Sequence, residues 1–420
     1  MTARAAVEAV WRIESARIVA TLARYTGDVA LAEDLAQEAL AQALVTWPRD
    51  GVPPQPAAWL LTVGRRRAID AYRRRSALDE RYAAIARDQD SAAASAQQVD
   101  VLWDPDEIDD DVLALMFIAC HPVLSPEAQV ALTLRVLGGL TSDEIARGFL
   151  VPTATVQARI TRAKKTLAAA EVHFGLPDPE DRRERLGSVL SVLYLIFTEG
   201  SSASSGPELI RTDLAREAIR QTRVLAGLMP DETEVQGLLA LLELTAARFP
   251  ARTAEDGEPV LLEDQDRRRW DRAAIRRGRA ALAQAGRVGS GLGYYGLQAS
   301  IAQGHAVAPS VDETDWARIV LLYEALASLA PSPVVDLNRA VAVSMAQGPT
   351  AALAIVDELV ASGALARSHL LPSVRGELLR RLGRTEEARE VLALAVRRCD
   401  NERERGVLER KLAALGDTIA

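Results

Sequence analysis

The stretch LTSDEIARGFLVPTATVQARITRAKKTL, from Leu140 to Leu167, carries the strongest fold signal in this chain of 420 residues. Thr141 or Ser142 is suited to cap a short first helix, and Gly148–Pro152 predicts a turn after it. A second helix is expected to begin at Thr153. Its apolar residues follow the spacing i, i+4, i+7 and i+11, which predicts one buried stripe: Val156, Ile160, Ala163 and Leu167.

The opposite side of this second helix is polar and basic. Such a pair is typical of the helix-turn-helix motif, whose second helix is of a size to lie in the DNA major groove. We therefore predict a DNA-binding module from about residue 110 to residue 172. Earlier in this module, Ser125 is expected to cap a helix that has Pro126 at its first position.

Length and composition limit the classes of protein that this sequence can encode. A chain of this length is expected to form two or three domains, and it has no run of about 18 apolar residues that would predict a transmembrane span. Charges interrupt the N-terminal stretch, so we expect no export signal and a cytoplasmic protein. The two cysteines, Cys120 and Cys399, are too few for a disulfide framework and are expected to be reduced core residues.

Charge is distributed unevenly, although the formal net charge is −8. The stretch GRRRAIDAYRRR, Gly64–Arg75, holds six arginines and one acid, whereas residues 88–111 hold nine acids and no base. Residues 159–165 again hold four bases and no acid. Local patches of this kind, rather than the net charge, decide where a polyanion docks.

Apolar residues recur at three- and four-residue spacing almost throughout, so we predict an all-α fold. A first module runs to about residue 82, and its first two helices are expected to bury two stripes: Val7, Val10, Ile13, Ile18 and Leu22, and Leu31, Leu35, Leu40 and Leu44. Asp28 is a suitable N-cap for the second helix, and Trp47-Pro48 is expected to end it. A third helix is expected from near Ala57 and carries the arginine-rich stretch.

The remaining chain contains a linker and a long helical extension. Residues 83–109 are rich in Ala, Ser, Gln and acids, which predicts a flexible acidic linker between the two modules. Residues 173–290 are expected to be helical, with an irregular interruption at residues 251–270. In residues 291–420, two stretches about 35 residues apart follow a helix, Gly turn, helix pattern, which is the outline of a tetratricopeptide repeat.

The arginine-rich stretch permits two interpretations. Arginines neutralise phosphates, and Trp59 at the start of the same helix is able to stack on an unpaired base. A run of charges is as often a solvated helix face paired with acids, so the stretch alone does not decide between them.

The order of these parts resembles the extracytoplasmic-function group of bacterial sigma-70 factors. AEDLAQEALAQAL, AWLLTVGRRRAIDAYRRR, an acidic linker and a helix-turn-helix ending VQARITRAKKTL resemble sigma region 2 followed by region 4. The remainder resembles the subgroup with a long tetratricopeptide-like extension, through YLIFTEG, LLEDQDRRRWD, YYGLQASIAQGHA and SPVVDLNRAVAV. The resemblance implies a sigma factor for promoter-specific initiation, whose partners are core RNA polymerase and promoter DNA. It also implies that the extension regulates activity in cis.

The resemblance further implies the DNA-binding residues. Contacts with the −10 element, including capture of a base from the melted strand, would be made by Trp59, Arg65, Arg66, Arg67, Asp70, Arg73 and Arg74. Arg66 and Asp70 are nearest the base-reading surface, and the other arginines suit phosphates. The −35 element would be contacted by Gln157, Ala158, Arg159, Thr161, Arg162, Lys164 and Lys165. Arg159, Lys164 and Lys165 suit phosphate contacts, with a structural role open for one of the three.

Asp34, Gln37 and Glu38 match the surface by which these factors grip the basic clamp helices of the polymerase. The alternative is that acids such as Glu33 and Asp34 merely favour the N-terminal half of a helix. The acidic linker is likewise expected either to thread the basic RNA channel of the polymerase or to serve as a plain spacer.

No other residue set predicts catalysis, a cofactor or a metal site. Cys120 and His121 lie on an apolar helix without a third catalytic group, so a core or capping role is expected. His173, His305 and His369 are scattered without metal-ligand spacing. We therefore expect no enzyme activity.

A second class of function stays open on the sequence alone. A polymerase-independent helix-turn-helix regulator, with a tetratricopeptide sensor for a peptide or small ligand, would contain the same second module. That alternative predicts specific duplex binding without core polymerase. Whether the extension inhibits or activates, and which protein or peptide it binds, also stays open.

Overall fold

The computed structural model describes residues 3–86, 105–149, 151–201, 212–254, 258–288 and 291–415. The regular elements among these residues are 18 α-helices and three short 3₁₀ turns, which confirms the predicted all-α class. Within these ranges, none of the helices combines the length and the hydrophobicity of a membrane-spanning segment. The chain divides into two compact units, Met1–Val192 and Leu193–Ala420.

The first unit begins with seven helices: α1 (Ala3–Thr26), α2 (Val29–Asp50), α3 (Pro56–Ala86), α4 (Pro105–Ala119), α5 (Pro126–Val136), α6 (Ser142–Phe149) and α7 (Thr153–Ala169). The boundary between the units falls within α8 (Pro179–Ser201). Ten helices follow: α9 (Thr212–Leu228), α10 (Thr233–Ala246), α11 (Arg272–Val288), α12 (Gly293–Val307), α13 (Trp316–Leu329), α14 (Pro333–Ala346), α15 (Pro349–Ala361), α16 (Leu370–Arg381), α17 (Thr385–Arg398) and α18 (Glu402–Ala414). Both ends of the predicted linker are thus helical, and its middle, residues 87–104, lies outside the described residues.

Side-chain caps set the starts of α2 and α5. The Asp28 carboxylate accepts hydrogen bonds from the backbone N–H groups of Ala30 (2.8 Å) and Leu31 (3.1 Å). The Ser125 hydroxyl accepts one from the N–H of Ala128 (3.4 Å). Both predicted N-caps are therefore confirmed.

The predicted end of α2 at Trp47-Pro48 is wrong. The helix continues through Pro48 to Asp50 and ends at Gly51, whose N–H donates to the Trp47 carbonyl (3.0 Å). Trp47 is fully buried and lies edge to face against Trp59 of α3. This packing holds the last turn of α2 in place despite the proline.

The predicted apolar stripes of α1 and α2 are confirmed in part, since Val7, Ile18, Leu22 and Leu35 are buried. Ile13 is 70 % exposed and Leu44 is 42 % exposed, whereas Trp11 is buried. The core-facing side of α2 is largely alanine: Ala32, Ala36, Ala39 and Ala43. Small side chains let neighbouring helices approach closely, and these alanines line most of the buried face beside Leu35 and Trp47.

The predicted helix-turn-helix motif is confirmed in α6 and α7. The Thr141 hydroxyl accepts a hydrogen bond from the Glu144 N–H (3.2 Å), and the Glu144 carboxylate accepts one from the Thr141 N–H (2.8 Å). The Thr153 hydroxyl at the start of α7 donates to the Asp143 carboxylate of α6 (2.8 Å). All four apolar residues of the predicted stripe on α7 are buried. Leu150 of the turn lies outside the described residues.

Helices of the two predicted modules pack together inside the first unit. The Trp11 indole N–H of α1 donates to the Gly139 carbonyl (3.0 Å), and Arg12 pairs with Glu144 of α6 (2.8 Å). Gly139 has a φ of +63°, a left-handed conformation that favours glycine. A Cβ at this position would lie 2.6 Å from the Ser15 hydroxyl oxygen and 3.0 Å from Trp11 Nε1.

In the second unit, each helix from α12 to α18 packs against the next. Gly348 and Gly383 have φ values of +95° and +74° and form the turns between α14 and α15 and between α16 and α17. Gly376 of α16 lies against Leu392 of α17, where a Cβ would be 2.6 Å from Leu392 Cγ. These helix pairs match the predicted pattern of helix, glycine turn and helix.

The predicted irregular interruption also has a structural role. Arg267 lies in a short 3₁₀ turn, is buried, and donates to the carbonyl oxygen of His305 (2.7 Å). Its guanidinium lies 4.9 Å from the ring centroid of Trp270, in a cation–π arrangement. This loop is therefore fixed to α12.

We expect Gly139→Ala to destabilise the first unit by about 2–5 kcal/mol, because a steric clash adds to the cost of a left-handed alanine. Gly51→Ala is the matched control: Gly51 has a φ of +85°, but a Cβ there would meet nothing within 4 Å. Gly51→Ala should lower the free energy of unfolding by only about 1–2 kcal/mol. Urea unfolding of residues 1–178, which end before α8, measures both losses. Equal losses would contradict close packing at Gly139.

Candidate nucleic-acid interface

α3 presents an exposed charged stripe. Arg66, Asp70 and Arg73 follow the spacing i, i+4 and i+7, and all three side chains are exposed. Ile69 and Tyr72, on the neighbouring stripe, are also exposed although they are apolar. Apolar groups bordered by cations suit a nucleic-acid strand whose bases are unstacked and whose phosphates lie beside them.

Two contacts fix this surface on the fold. The Tyr72 hydroxyl donates to the Thr26 carbonyl at the end of α1 (2.9 Å). A Cβ at Gly64 would lie 2.8 Å from Leu22 Cδ1, so glycine lets α3 approach α1 closely. The stripe therefore lies on a helix whose position is set by backbone and core contacts.

Arg67 connects the predicted −10 surface to the predicted polymerase surface. Its guanidinium donates to Glu38 Oε2 (2.7 Å) and to Gln42 Oε1 (3.0 Å), both on α2. Glu38 is a predicted polymerase contact, and it remains more than half exposed beside Arg67. The exposed oxygen surface of Glu38 can therefore still meet a cation.

Of the other predicted −10 residues, Trp59 and Arg65 are less exposed, and the side chain of Arg74 is not among those that the structure describes. Trp59 is half-buried, with its ring 5.6 Å from the Trp47 ring. Arg65 is also half-buried. Arg74 lies on α3, but its side chain is outside the described residues. Trp59 therefore serves first to pack α3 against α2.

α7 presents the predicted −35 surface. Its exposed members are Gln157, Ala158, Thr161, Arg162 and Lys165. Gln157 and Thr161 are four residues apart, as are Ala158 and Arg162, so the four side chains share one face. The Arg162 Nε–H donates to the Ala158 carbonyl (3.3 Å), and Arg159 is half-buried.

Two predicted contact surfaces meet at Glu33 of α2. Lys164 of α7 pairs with Glu33 (2.6 Å) and with Asp34 (2.8 Å). Arg135 of α5 pairs with the other Glu33 oxygen (2.8 Å). The Glu33 side chain is 4 % exposed and that of Asp34 is 67 % exposed. We call these four residues the Glu33 cluster.

Electrostatics keep the Glu33 cluster ionised. Burial alone would raise the pKa of Glu33, but the positive charges of Arg135 and Lys164 outweigh it and hold that pKa below the usual 4.5. Burial alone would lower the pKa of Lys164, but its two carboxylate partners outweigh it and raise that pKa above 10.5. The cluster is therefore charged at neutral pH.

The cluster joins a predicted polymerase contact, Asp34, to a predicted −35 contact, Lys164. A phosphate contact by Lys164 would require this pairing to open, because its Nζ is held by two carboxylates. Gln37, the other predicted polymerase residue near this point, is half-buried. It lines a groove of about 430 Å³ together with residues of α1, α5 and α6.

The pairing of Glu33 with Arg135 was not predicted from the sequence. Glu33 is adjacent to the buried Ala32, and Arg135 stands between Leu134 and Val136, which are buried as well. A charged residue on a buried helix face almost always has a partner of opposite charge. The positions of Glu33 and Arg135 among buried residues therefore each indicate an ion pair. Which charges meet depends on the tertiary arrangement of the helices.

Cys120 and His121 have the expected core and capping roles. Cys120 Sγ lies 3.4 Å from the Thr133 hydroxyl oxygen, and burial raises the pKa of the thiol to about 12. His121 Nδ1 accepts a hydrogen bond from the Val123 N–H (3.2 Å). A thiol that stays protonated is a poor nucleophile.

Three protein-family models match consecutive parts of the chain. Residues 12–77 match Sigma-70 region 2, and residues 114–167 match Sigma-70 region 4. Residues 185–286 match a family of unknown function (DUF6596). The charged stripe of α3 falls in the first match, and the helix-turn-helix falls in the second.

Individual relatives cover different parts of the chain. An uncharacterized protein of Rhizobium meliloti (strain 1021) is 44 % identical over 403 residues, which is 93 % of this chain and 91 % of the relative. The probable ECF RNA polymerase sigma factor SigI of Mycobacterium tuberculosis is 27 % identical over 178 residues, which is 42 % of this chain and 59 % of that protein. No solved structure matches the chain significantly.

We expect Glu33→Gln to lower the free energy of unfolding of residues 1–178 by about 2–3 kcal/mol at pH 7, because it leaves two cations without their shared carboxylate. The folded-state pKa of Glu33 lies below its unfolded value near 4.5, so its contribution is present above that value. It is lost as pH falls through the folded-state pKa. The difference between wild type and variant should therefore shrink in acid.

Asp34→Asn is the matched control, since Asp34 is adjacent to Glu33 and also contacts Lys164 but is exposed. Asp34→Asn should lower the free energy of unfolding by less than about 1 kcal/mol. Urea unfolding at several pH values between 7 and 3 measures all three proteins. A loss for Glu33→Gln that is as small as that for Asp34→Asn, or that is constant with pH, would contradict the assigned role of Glu33.

Proposed function

Because the chain belongs to the extracytoplasmic-function group of the sigma-70 family, with a C-terminal helical extension, we propose that it directs core RNA polymerase to promoters contacted by α3 and α7. One observation supports this most: both sigma-type matches coincide with exposed polar or basic helix faces inside one compact unit. Its part is promoter specificity, and the polymerase performs the chemistry. Since core polymerase works in the cytoplasm, the proposal includes that location.

In this proposal, α3 binds the −10 element. The guanidinium of Arg66 donates and the carboxylate of Asp70 accepts hydrogen bonds at the edge of a base in the melted strand. Arg73 neutralises a neighbouring phosphate. The exposed Ile69 and Tyr72 offer apolar surface to the unstacked base. Every base has an apolar ring face, so this contact does not depend on which base is present.

α7 binds the −35 element in the major groove. Gln157 suits an adenine, Arg162 suits a guanine, and Ala158 suits the methyl group of a thymine. Thr161 lies between these positions on the same face and is able to donate or accept. Lys165 is exposed and suits a phosphate, which positions the helix without reading sequence.

α2 binds the basic clamp of the polymerase through Asp34, Gln37 and Glu38. Asp34 is paired with Lys164 in the structure described above. We therefore include in the proposal that α7 moves away from α2 when polymerase binds, which makes Asp34 available to the polymerase and Lys164 available to promoter phosphates. Basic groups of the clamp then take the place of Lys164.

The extension regulates initiation in cis. The Rhizobium meliloti relative aligns with 93 % of the chain, so the two proteins share the extension as well as the sigma-type part. Stacked helical pairs such as those of α14–α17 form extended surfaces that suit a protein or peptide partner. Such a partner would act on transcription through the extension.

We expect the full chain to bind core RNA polymerase, and Asp34→Ala combined with Gln37→Ala to weaken that binding about tenfold or more, because two groups facing the basic clamp are removed. Glu386→Ala on α17 is the control, since it removes an exposed carboxylate that is 71 % accessible and lies outside the sigma-type part. Co-sedimentation with core polymerase measures the binding. Equal binding by all three proteins would contradict the assigned polymerase surface.

We expect the full chain and residues 1–178 to differ in promoter-dependent transcription with core polymerase in vitro. More transcript from the fragment would show that the extension inhibits, and more from the full chain would show that it activates. Equal transcript from both would contradict cis regulation while leaving the sigma function intact. Duplex binding without polymerase, with no transcript from either protein, would contradict the sigma function itself.

We expect Arg162→Ala to relax the preference for one base pair of the −35 element and to cost about 1–3 kcal/mol of binding at that promoter. Lys165→Ala should instead weaken binding to all promoter sequences about equally and reduce the salt dependence by about one counterion. Holoenzyme binding to promoters with randomised −35 elements, at several salt concentrations, separates the two effects. Loss of the same base preference in both variants would contradict these roles.

A further inference from the structure

Three metal-ligating side chains from separate helix ends converge in the second unit. His369 directly precedes α16, Cys399 directly follows α17, and Glu404 lies in the first turn of α18. One ligand atom from each residue lies within 4.8 Å of the other two. The closest recorded pair is His369 Nε2 and Glu404 Oε2, at 3.2 Å.

The position of Cys399 distinguishes this group from a surface ion pair. Cys399 is 3 % exposed, whereas His369 and Glu404 keep 22 % and 30 % of their side-chain surface exposed. Its thiol lies 3.5 Å from the Asn401 carbonyl oxygen, a long contact. A soft sulfur thus lies at the closed end of a small site, and two harder ligands form its rim.

A side-chain cap fixes the start of the helix that carries Glu404. The Asn401 side chain accepts hydrogen bonds from the backbone N–H groups of Arg403 (3.0 Å) and Glu404 (3.1 Å), so it caps α18. This cap fixes the backbone of the first turn of α18, which carries Glu404.

We propose that His369, Cys399 and Glu404 bind a Zn²⁺ ion. Thiolate, imidazole and carboxylate are all zinc ligands, with bond lengths of about 2.0–2.3 Å, so tetrahedral ligand atoms lie roughly 3.3–3.8 Å apart. The three ligand atoms lie within 4.8 Å of one another, about 1 Å beyond the upper end of that range. Three protein ligands leave a fourth position at the exposed rim for water.

Binding of the ion also balances charge. The Cys399 thiol loses one proton to solvent, Cys399 and Glu404 then carry two negative charges, and His369 binds as the neutral imidazole through Nε2. The divalent ion cancels both charges.

The ion would tie three helices together at the C-terminal end of the repeats. α16 packs on α17 and α17 packs on α18. His369 lies at the start of α16, Cys399 at the end of α17 and Glu404 near the start of α18. The inferred role of the ion is to hold α18 against α16 and α17. The His369 and Cys399 ligands are 30 positions apart in sequence, which is why their spacing predicts no metal site.

The test uses the untagged full chain, stripped of metal with a chelator, and Zn²⁺ alone as the probe. Competition with a chromophoric chelator should show one bound ion per chain. Cys399→Ser and His369→Gln should each weaken binding by more than the 10–100-fold typical of losing an outer contact. Cys120→Ser, which replaces the other buried cysteine, is the matched control and should bind as wild type.

Co²⁺ provides a second readout that does not depend on stability. Wild type and Cys120→Ser should show a thiolate-to-cobalt charge-transfer band, and His369→Gln should alter it even if Cys399→Ser fails to fold. Zinc should also raise the melting temperature of wild type but not that of His369→Gln. Absence of stoichiometric zinc binding in wild type, or zinc binding and a cobalt band unchanged in folded Cys399→Ser, would overturn the proposal.

Discussion

The buried carboxylate of Glu33 is the constraint on which the first unit depends. Removing an ionised carboxylate from water is costly unless cations meet it, and Arg135 and Lys164 supply them from α5 and α7. Such a group adds little net stability compared with apolar residues of similar volume, but it is costly to leave half-paired. It therefore specifies which helices of the two sigma-type modules meet, and apolar packing around Trp11 and Gly139 completes the junction.

The same constraint lies between two functional surfaces. Lys164 is on the helix proposed to bind the −35 element, and Asp34 is on the helix proposed to bind the polymerase. A strong charge attraction that spans both surfaces is able to hold them together in the absence of partners. It is also the kind of contact that other charged partners, a basic clamp and a phosphate backbone, are able to replace.

Local signals predicted much of this structure, and tertiary contacts explain the rest. The caps at Asp28 and Ser125 and the buried stripe of α7 follow from nearest neighbours in sequence, and the structure contains all of them. The buried face of α2 does not follow leucine periodicity, because close helix packing selects alanine there. The Glu33 cluster spans more than a hundred residues and required the arrangement of helices, which no local pattern contains.

If the proposed function is correct, this chain makes core RNA polymerase open promoter DNA. Permanganate footprinting of thymines tests this on promoter DNA incubated with core polymerase and the full chain. We expect reactive thymines around the −10 element when both proteins are present, and their loss when Arg66 and Arg73 are replaced by alanine. Duplex protection by the chain alone, with no reactive thymine upon addition of polymerase, would contradict the proposed function.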